Sequence, residues 1–291
     1  MSLGMVVLNY NDAETTIKFL NKISTYENIS KVVIVDNNSK DDSVENIKNN
    51  FKIDNEKYIM IESDENNGYG SGNNLGIKEL EKFKDIKYIA ISNPDIVITE
   101  ESINKQINVL ENHREISVIS GNITEHGKRA IDNAWKTPSY LQCILQTIPL
   151  IDKIVDKFLG YDLSYYSESE ISVVEAIKGC FFIARSYIFK EIGYFDEDTF
   201  LYYEENIIAK KMKNKGYRAA IINSAEIIHE HGVTINKSYK RIEKFKILNN
   251  SRKVYMKKCL KVNSVKMALY EFIQFIGINI RRIMYFVQSL V

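Results

Sequence analysis

Through the first 120 positions, apolar residues gather in short unbroken runs separated by longer stretches of helical period. Met5-Val6-Val7-Leu8, Lys31-Val32-Val33-Ile34-Val35, Tyr58-Ile59-Met60-Ile61 and Tyr88-Ile89-Ala90-Ile91 are β-rich and bounded by polar residues, the pattern of strands buried on both faces. Between them, Ile17, Leu20 and Ile23 follow Thr15 and Thr16. Leu75, Leu80 and Phe83 share one side of a predicted helix over 75–83, and Ile103, Ile107 and Leu110 recur at i, i+4, i+7 after Thr99. These are amphipathic helices. Strand–helix alternation predicts an α/β fold with right-handed crossovers and a mainly parallel sheet. Ligands of such sheets bind at the carboxyl ends of the strands.

The polar residues collect at those ends. The four strands run into Asn9-Tyr10-Asn11, Asp36-Asn37-Asn38-Ser39, the Asn- and Gly-rich segment 65–76, and Asn93-Pro94-Asp95. Any one of these is an ordinary turn; four at one edge predict a shared ligand site. Periodicity weakens over 122–172, which reads as a lid or substrate-facing insertion or as a plain packing segment. Regular patterns return at Val173–Ala184 and Arg218–Ile222. A helix after Phe200-Leu201-Tyr202-Tyr203-Glu204-Glu205 runs through Met212 to a stop at Gly216.

The last 55 or so residues differ in composition. Over 237–266 there are 11 basic residues and one acid, Glu243, a local net charge of +10 in a chain whose total is +1. Residues 267–291 are apolar and aromatic, interrupted by Glu271, Gln274, Asn279, Arg281 and Arg282. Two readings stand: an interfacial anchor on an anionic membrane, or a helical cap packed on the core or on a second subunit, so that a homodimer is open.

The chain has 291 residues, 45% hydrophobic and 26% charged, an ordinary globular composition. Its near-zero net charge argues against a general nucleic-acid binder. Cys143, Cys180 and Cys259 are scattered and lack a CxxC pair, as expected of buried thiols in a reducing compartment. The N-terminus shows no secretory pattern and no run reaches the length of a membrane span. The expected location is the cytoplasm, either free or peripheral at the inner face of the cell membrane.

Candidate chemistry is sparse. The glycine-rich segment fails the dinucleotide fingerprint, because Leu75 and Asn73 stand where glycines are needed, and no phosphate-loop motif occurs. Asp95 is a turn residue or a ligand for Mg²⁺ or Mn²⁺ beside a diphosphate. His229 is a core histidine or a second ligand favouring Mn²⁺. Glu204 and Glu205 open a helix, where acids are stabilised by the dipole; alternatively one accepts a substrate proton.

Taken together, the segments resemble family 2 glycosyltransferases of the GT-A fold, in the branch of bacterial rhamnosyltransferases. The resemblance covers roughly residues 4–235. It rests on Leu8-Asn9-Tyr10-Asn11, Val35-Asp36-Asn37-Asn38-Ser39, the set Asn66, Gly68, Tyr69, Gly72, Asn74 and Gly76, Asn93-Pro94-Asp95, the stretch Gly179 to Arg185, Gly193-Tyr194-Phe195-Asp196-Glu197 with Phe200, Tyr202, Glu204 and Glu205, and His229 downstream. It implies a GT-A nucleotide-sugar-binding domain over 1–235; within it the aperiodic 122–172 is expected to be an acceptor-side insertion, and composition marks 236–291 as a basic amphipathic helical tail.

The resemblance also implies roles. Asn9, Asn11, Asp36, Asn66, Gly68, Asn74 and Asn93 would line the site for a UDP- or dTDP-sugar. Asp95, with His229, would hold a divalent cation. Glu205, or Glu204 in its place, would act as general base for inverting transfer of one sugar to a glycan or lipid-linked acceptor in cell-surface polysaccharide synthesis. Two departures stand out: Glu-Glu replaces the family's usual Glu-Asp, and Ile207 replaces an aspartate two positions later. The processive Q-x-x-R-W motif is absent. A non-catalytic nucleotide-sugar-binding or assembly protein on the same fold is the alternative.

Overall fold

The computed structural model describes residues 2–54, 56–230 and 240–288. In chain order the elements are β1 Leu3–Asn9, α1 Ala13–Ile23, β2 Ile29–Asp36, α2 Ser43–Asn50, β3 Tyr58–Glu62, α3 Tyr69–Leu80, β4 Tyr88–Ser92, β5 Ile96–Ile98, α4 Glu100–Asn112, β6 Ile116–Glu125, β7 Lys128–Arg129 and β8 Ala134–Trp135. There follow α5 Tyr140–Leu145, α6 Ile151–Leu159, α7 Leu163–Ser167, β9 Ile171–Val174, β10 Ala176–Ile177, β11 Phe181–Arg185, α8 Ser186–Ile192, α9 Glu204–Asn214, β12 Arg218–His229, α10 Arg241–Lys258 and α11 Ser264–Gln288.

The main sheet is ordered β3-β2-β1-β4-β11-β6-β12-β5. β3, β2, β1 and β4 are mutually parallel, while β11 is antiparallel to both β4 and β6. The result is a mixed sheet with helices on both faces, as the alternation predicts. Two apolar layers sandwich it. Phe19, Leu20 and Ile23 of α1 join Ile103 and Ile107 of α4 in one. Ile77 and Leu80 of α3 join Phe189 and Ile208 in the other.

The four predicted strands are present, and Thr99 caps α4 through its hydroxyl, which accepts from the Ser102 amide at 3.1 Å. One expectation needs correction. The helix predicted over 75–83 begins earlier, at Tyr69, so most of the glycine-rich segment is helix rather than loop. The reason is packing. A Cβ on Gly76 would lie 2.4 Å from Val6 Cγ1, and one on Gly72 2.6 Å from Leu8 Cδ1. The glycines let α3 press onto β1, which outweighs their poor helix propensity.

The aperiodic stretch also resolves. Its first residues finish β6, and the remainder forms β7, β8 and three short helices before β9. The tail begins as the packing reading has it. α10 buries Phe245, Arg252, Tyr255 and Met256, and the Tyr255 hydroxyl donates to the Pro138 carbonyl at 2.8 Å. The 235/236 boundary lies outside the described residues. No described helix is long and apolar enough to cross a membrane.

Gly76→Ala tests the α3–β1 contact. The added methyl meets Val6 and Val35 side chains in a filled layer, so urea denaturation should show a loss of about 1–3 kcal/mol; no loss would mean that α3 does not bear directly on the sheet.

Candidate active site

Strand register assembles the metal candidates. β5 starts one residue after Asp95, and its antiparallel pairing with β12 sets His229 opposite Ile96. The Glu230 amide donates to the Asp95 carbonyl at 2.9 Å. His229 Nε2 thus lies 3.3 Å from Asp95 Oδ2. β6 runs parallel to β12 with Thr124 beside Ile228, which brings the next residue, Glu125, to His229; its Oε1 is 3.0 Å from Nδ1. Lys178 Nζ lies 2.6 Å from the same Glu125 oxygen and 2.7 Å from Asp132 Oδ1. Burial opposes charge on His229, but the Asp95 and Glu125 carboxylates outweigh it and hold the imidazole above its ordinary pKa.

Asp95 Oδ1 is buried and has no hydrogen-bond partner. A buried carboxylate oxygen left bare is a site that asks for a ligand, and a divalent cation would fit it, with the His229 ring as a second donor once it gives up the proton its carboxylate neighbours favour. No group of three or more His, Cys, Asp or Glu that could cage a metal exists among the described residues. The chain therefore offers two groups, and a hard cation would complete its shell with phosphate oxygens and water.

Glu204 and Glu205 begin α9. They follow Tyr202 and Tyr203, both left-handed at φ 71° and 69°, a conformation that costs a non-glycine residue about 1–2 kcal/mol. Packing imposes it. The Tyr203 hydroxyl donates to Gln146 Oε1 at 3.0 Å and accepts from Arg252 Nε at 2.8 Å. Ser251 Oγ donates to the Leu201 carbonyl at 2.8 Å, and the Tyr69 amide donates to Phe200 at 2.9 Å.

The turn separates the two acids. Glu204 points inward, 2% exposed, with Oε1 bare of partners. Burial and then the neighbouring Glu205 charge push its pKa well above the ordinary 4.5. Glu205 is half-buried, and its Oε1 accepts from the Gly179 amide at 3.1 Å. An apolar cavity of about 20 Å³, lined in part by Ile177, Phe182, Phe195 and Ile208, adjoins it. Desolvation raises its pKa too, while backbone hydrogen bonds restrain the rise.

One tripeptide joins the two halves of the site. Lys178 holds Glu125 and Asp132. Gly179 gives its amide to Glu205 and its carbonyl to the Tyr69 hydroxyl at 2.7 Å. The Cys180 carbonyl accepts from the Asn93 amide at 2.8 Å. Asp95, His229, Asn93 and the Glu204–Glu205 pair therefore surround residues 178–180.

The remaining candidates fall into two groups. Asn9 is fully buried between Thr16, Asp36 and Ser39. Asp36 accepts from Asn9 Nδ2 at 2.8 Å and from the Ser39 hydroxyl and amide at 2.6 and 2.9 Å. Asn11, left-handed at φ 51°, accepts from the Lys40 amide. These residues knit the ends of β1 and β2, and Asn66 joins them through Asn37 at 3.1 Å. Gly68 and Asn74 do something different. A Cβ on Gly68 would strike the Phe200 carbonyl at 2.1 Å. Asn74 exchanges hydrogen bonds with the Phe195 amide and carbonyl and reaches Glu197. Both hold α3 against the 195–200 segment that leads to the glutamates.

The sequence reading missed Glu125, Asp132, Lys178 and Arg252. Glu125 ends an apolar run before the turn Glu125-His126-Gly127, a strand-end signal like the four it did use. Lys178 directly precedes Gly179. Arg252 carried no local signal among so many basic residues.

The model for glycosyl transferase family 2 matches residues 5–168, more than half of the chain. The low-salt glycan biosynthesis hexosyltransferase Agl10 of Haloferax volcanii is 24% identical over 232 residues, 79% of this chain and 68% of its own length. The poly-beta-1,6-N-acetyl-D-glucosamine synthase of Staphylococcus epidermidis is 22% identical over 67% of this chain, which spans 42% of that relative. Among solved structures, GalNAc-T7 with UDP, GalNAc and Mn²⁺ superposes at a TM-score of 0.61 and 13% identity, over 80% of this chain and 44% of that one. S. aureus TarS 1-349 with UDP-GlcNAc superposes at 0.52 and 15%, over 85% of this chain and 64% of that one. These likenesses give the fold, a GT-A arrangement of sheet and helices.

The buried Glu204 makes stability depend on pH. Its folded pKa exceeds the unfolded value near 4.5, so the stability its neutral form contributes is full below that pH and is lost as pH rises through the folded value. Glu204→Gln stays neutral throughout. Its melting temperature relative to the native chain should climb steadily from pH 4.5 upward; a difference flat with pH would show that the carboxyl is not held neutral.

Proposed function

Since the chain belongs to glycosyl transferase family 2, we propose that it transfers one sugar, with inversion, from a UDP- or dTDP-sugar to a hydroxyl of a glycan or lipid-linked acceptor in glycan synthesis, with Mn²⁺ or Mg²⁺ bound. The observation that carries this reading is the placement of Glu205 on the Gly179 amide, across residues 178–180 from Asp95 and His229. The N-P-D form of the motif at Asp95 supports the rhamnosyltransferase-like branch. The hexosyltransferase and synthase relatives, and the UDP-sugar complexes of similar fold, support the donor class.

The chain's own residues would divide the work. Asp95 and His229 would hold the cation, which when bound offsets charge on the departing nucleoside diphosphate. The knitted ends of β1 and β2, with Asn11 and Asp36, would receive the nucleoside. Glu205 would take the acceptor hydroxyl's proton as that oxygen attacks the anomeric carbon. Its desolvated carboxylate is a stronger base than one in water, and the Gly179 amide fixes its direction. A single displacement with no enzyme nucleophile inverts the carbon.

Thermal-shift titration with UDP and dTDP, each with and without Mn²⁺, tests the donor site. One nucleotide should raise the melting temperature more with Mn²⁺ present. Asp95→Asn should erase the Mn²⁺ effect, and Glu205→Gln should keep it while lowering turnover of the matching donor by about 10²–10⁴-fold. Full turnover in Glu205→Gln would overturn the base assignment, and nucleotide binding without turnover of any donor would point to a binding protein.

Glu125 has a separate consequence. Carboxylates that orient a metal-bound imidazole commonly contribute about 10–100-fold to metal affinity. Glu125→Gln should weaken Mn²⁺ binding, read by the electron paramagnetic resonance of free Mn²⁺, by that order, while nucleotide binding without metal stays as in the native chain. Unchanged Mn²⁺ affinity would leave Glu125 a purely structural partner of Lys178.

A further inference from the structure

α11 presents an apolar face that is exposed among the described residues. From Val265 its exposed apolar residues are spaced 4-3-4-4-3-4, through Phe272 and Ile276 to Val287, which is one stripe along a helix. Phe275, 66% exposed, widens it on one side. Asn279, itself only partly exposed, and the exposed Arg282, which donates to Asn279 Oδ1 at 3.3 Å, are the polar residues at the border of the stripe. The opposite side of α11 buries Tyr270, Gln274 and Gly277 on the protein. With 25 residues the helix is roughly 37 Å long at 1.5 Å per residue.

A second exposed stripe lies beside it. Ile154 and Phe158 follow one another at four-residue spacing along α6, and the exposed Leu150 is its N-cap residue. The two helices are held together: Arg281 on α11 pairs with Asp152 on α6 at 2.5 Å, and Gly277 sits so close to the Thr147 carbonyl that a Cβ would approach it to 2.2 Å. A single monomer rarely exposes this much apolar surface on one helix and its neighbour without a use for it.

We propose that the exposed apolar faces of α6 and α11 dock on an anionic lipid bilayer, with α11 lying in the plane of the interface. Charge selects this occupant. Lys153, Lys157, Lys266 and Arg282 are exposed on the two helices. The acids there are exposed Asp156 and Glu271, the latter 3.4 Å from Lys253, and Asp152, which Arg281 engages. α10, which packs against α11, adds the exposed Arg241, Lys246 and Lys257. A negatively charged headgroup layer meets that field favourably and the stripe enters the acyl boundary. A second copy of the chain would bring the same positive charge against itself. The helix is not apolar enough to cross the bilayer. This surface is independent of the transfer chemistry, and its test does not use activity.

Flotation of the full chain with vesicles decides the matter. Phosphatidylcholine vesicles carrying one part phosphatidylglycerol in about three should bind the protein; phosphatidylcholine alone, or about 0.5 M salt, should reduce binding about tenfold. Phe272→Asp with Ile276→Asp should abolish binding, and Ile154→Asp with Phe158→Asp should weaken it about tenfold. Lys153→Glu with Lys157→Glu should narrow the preference for anionic lipid. All substituted side chains are exposed, and circular dichroism melts should match the native chain. The proposal fails if the native chain does not float with anionic vesicles, or if both aspartate pairs float as it does. It fails equally if sedimentation equilibrium shows a dimer that Phe272→Asp with Ile276→Asp dissociates while vesicle binding is missing.

Discussion

The hydrogen bond from the Gly179 amide to Glu205 fixes the relation between the two halves of the site. It requires residue 179 to lack a side chain, because a Cβ there would lie 2.6 Å from the carboxylate oxygen it serves. The same tripeptide is pinned from three other directions, by Asn93 at Cys180, by Tyr69 at the Gly179 carbonyl, and by Glu125 and Asp132 at Lys178. A shift of residues 178–180 would move base and cation candidates together. Glu205 reaches at this point a backbone amide that only glycine leaves open.

The second support comes from the tail. Two successive tyrosines in the left-handed region do not hold themselves. Arg252 is buried in α10 with Tyr203 as a partner, Ser251 caps the Leu201 carbonyl, and Lys258 spans Asp196 and Asp198 at 2.7 Å each. α10 thus clamps both ends of the segment that turns into α9. A helix whose sequence reads as a solvated basic stretch is, on its inner side, part of the framework that aims Glu204 and Glu205.

The strands and the clustering of Asn9, Asp36, Asn93 and Asp95 at one sheet edge were legible because buried parallel strands announce themselves as apolar runs and their ends as polar turns. The helical start of α3 was not, since glycine and asparagine signal a loop locally while the close approach to Val6 and Leu8 is a tertiary fact. Glu125 and Lys178 were hidden for another reason. Glu125 reaches His229 through the register of β6 on β12, and Lys178 joins it from the turn between β10 and β11; no local pattern encodes such pairing across tens of residues. Arg252 shows the converse: it stands among many basic residues, and the Tyr203 hydroxyl and Asn249 Oδ1 hold it inward.

Adjacent acids at one helix start cannot share one role. Two carboxyl groups this close repel as ions, so their protonation must separate, and the surroundings decide the direction. Glu204 has an oxygen with no donor, near-complete burial and the Glu205 charge beside it, all of which favour the neutral acid. Glu205 has an amide donor and Lys178 nearby, which favour the ion. With Glu204 neutral, Glu205 escapes its neighbour's charge and stays available to accept a proton, although burial lifts both. The left-handed turn at Tyr202 and Tyr203 is what sends one carboxyl inward and the other toward Gly179, so the strain that α10 sustains is converted into a difference in basicity between consecutive residues.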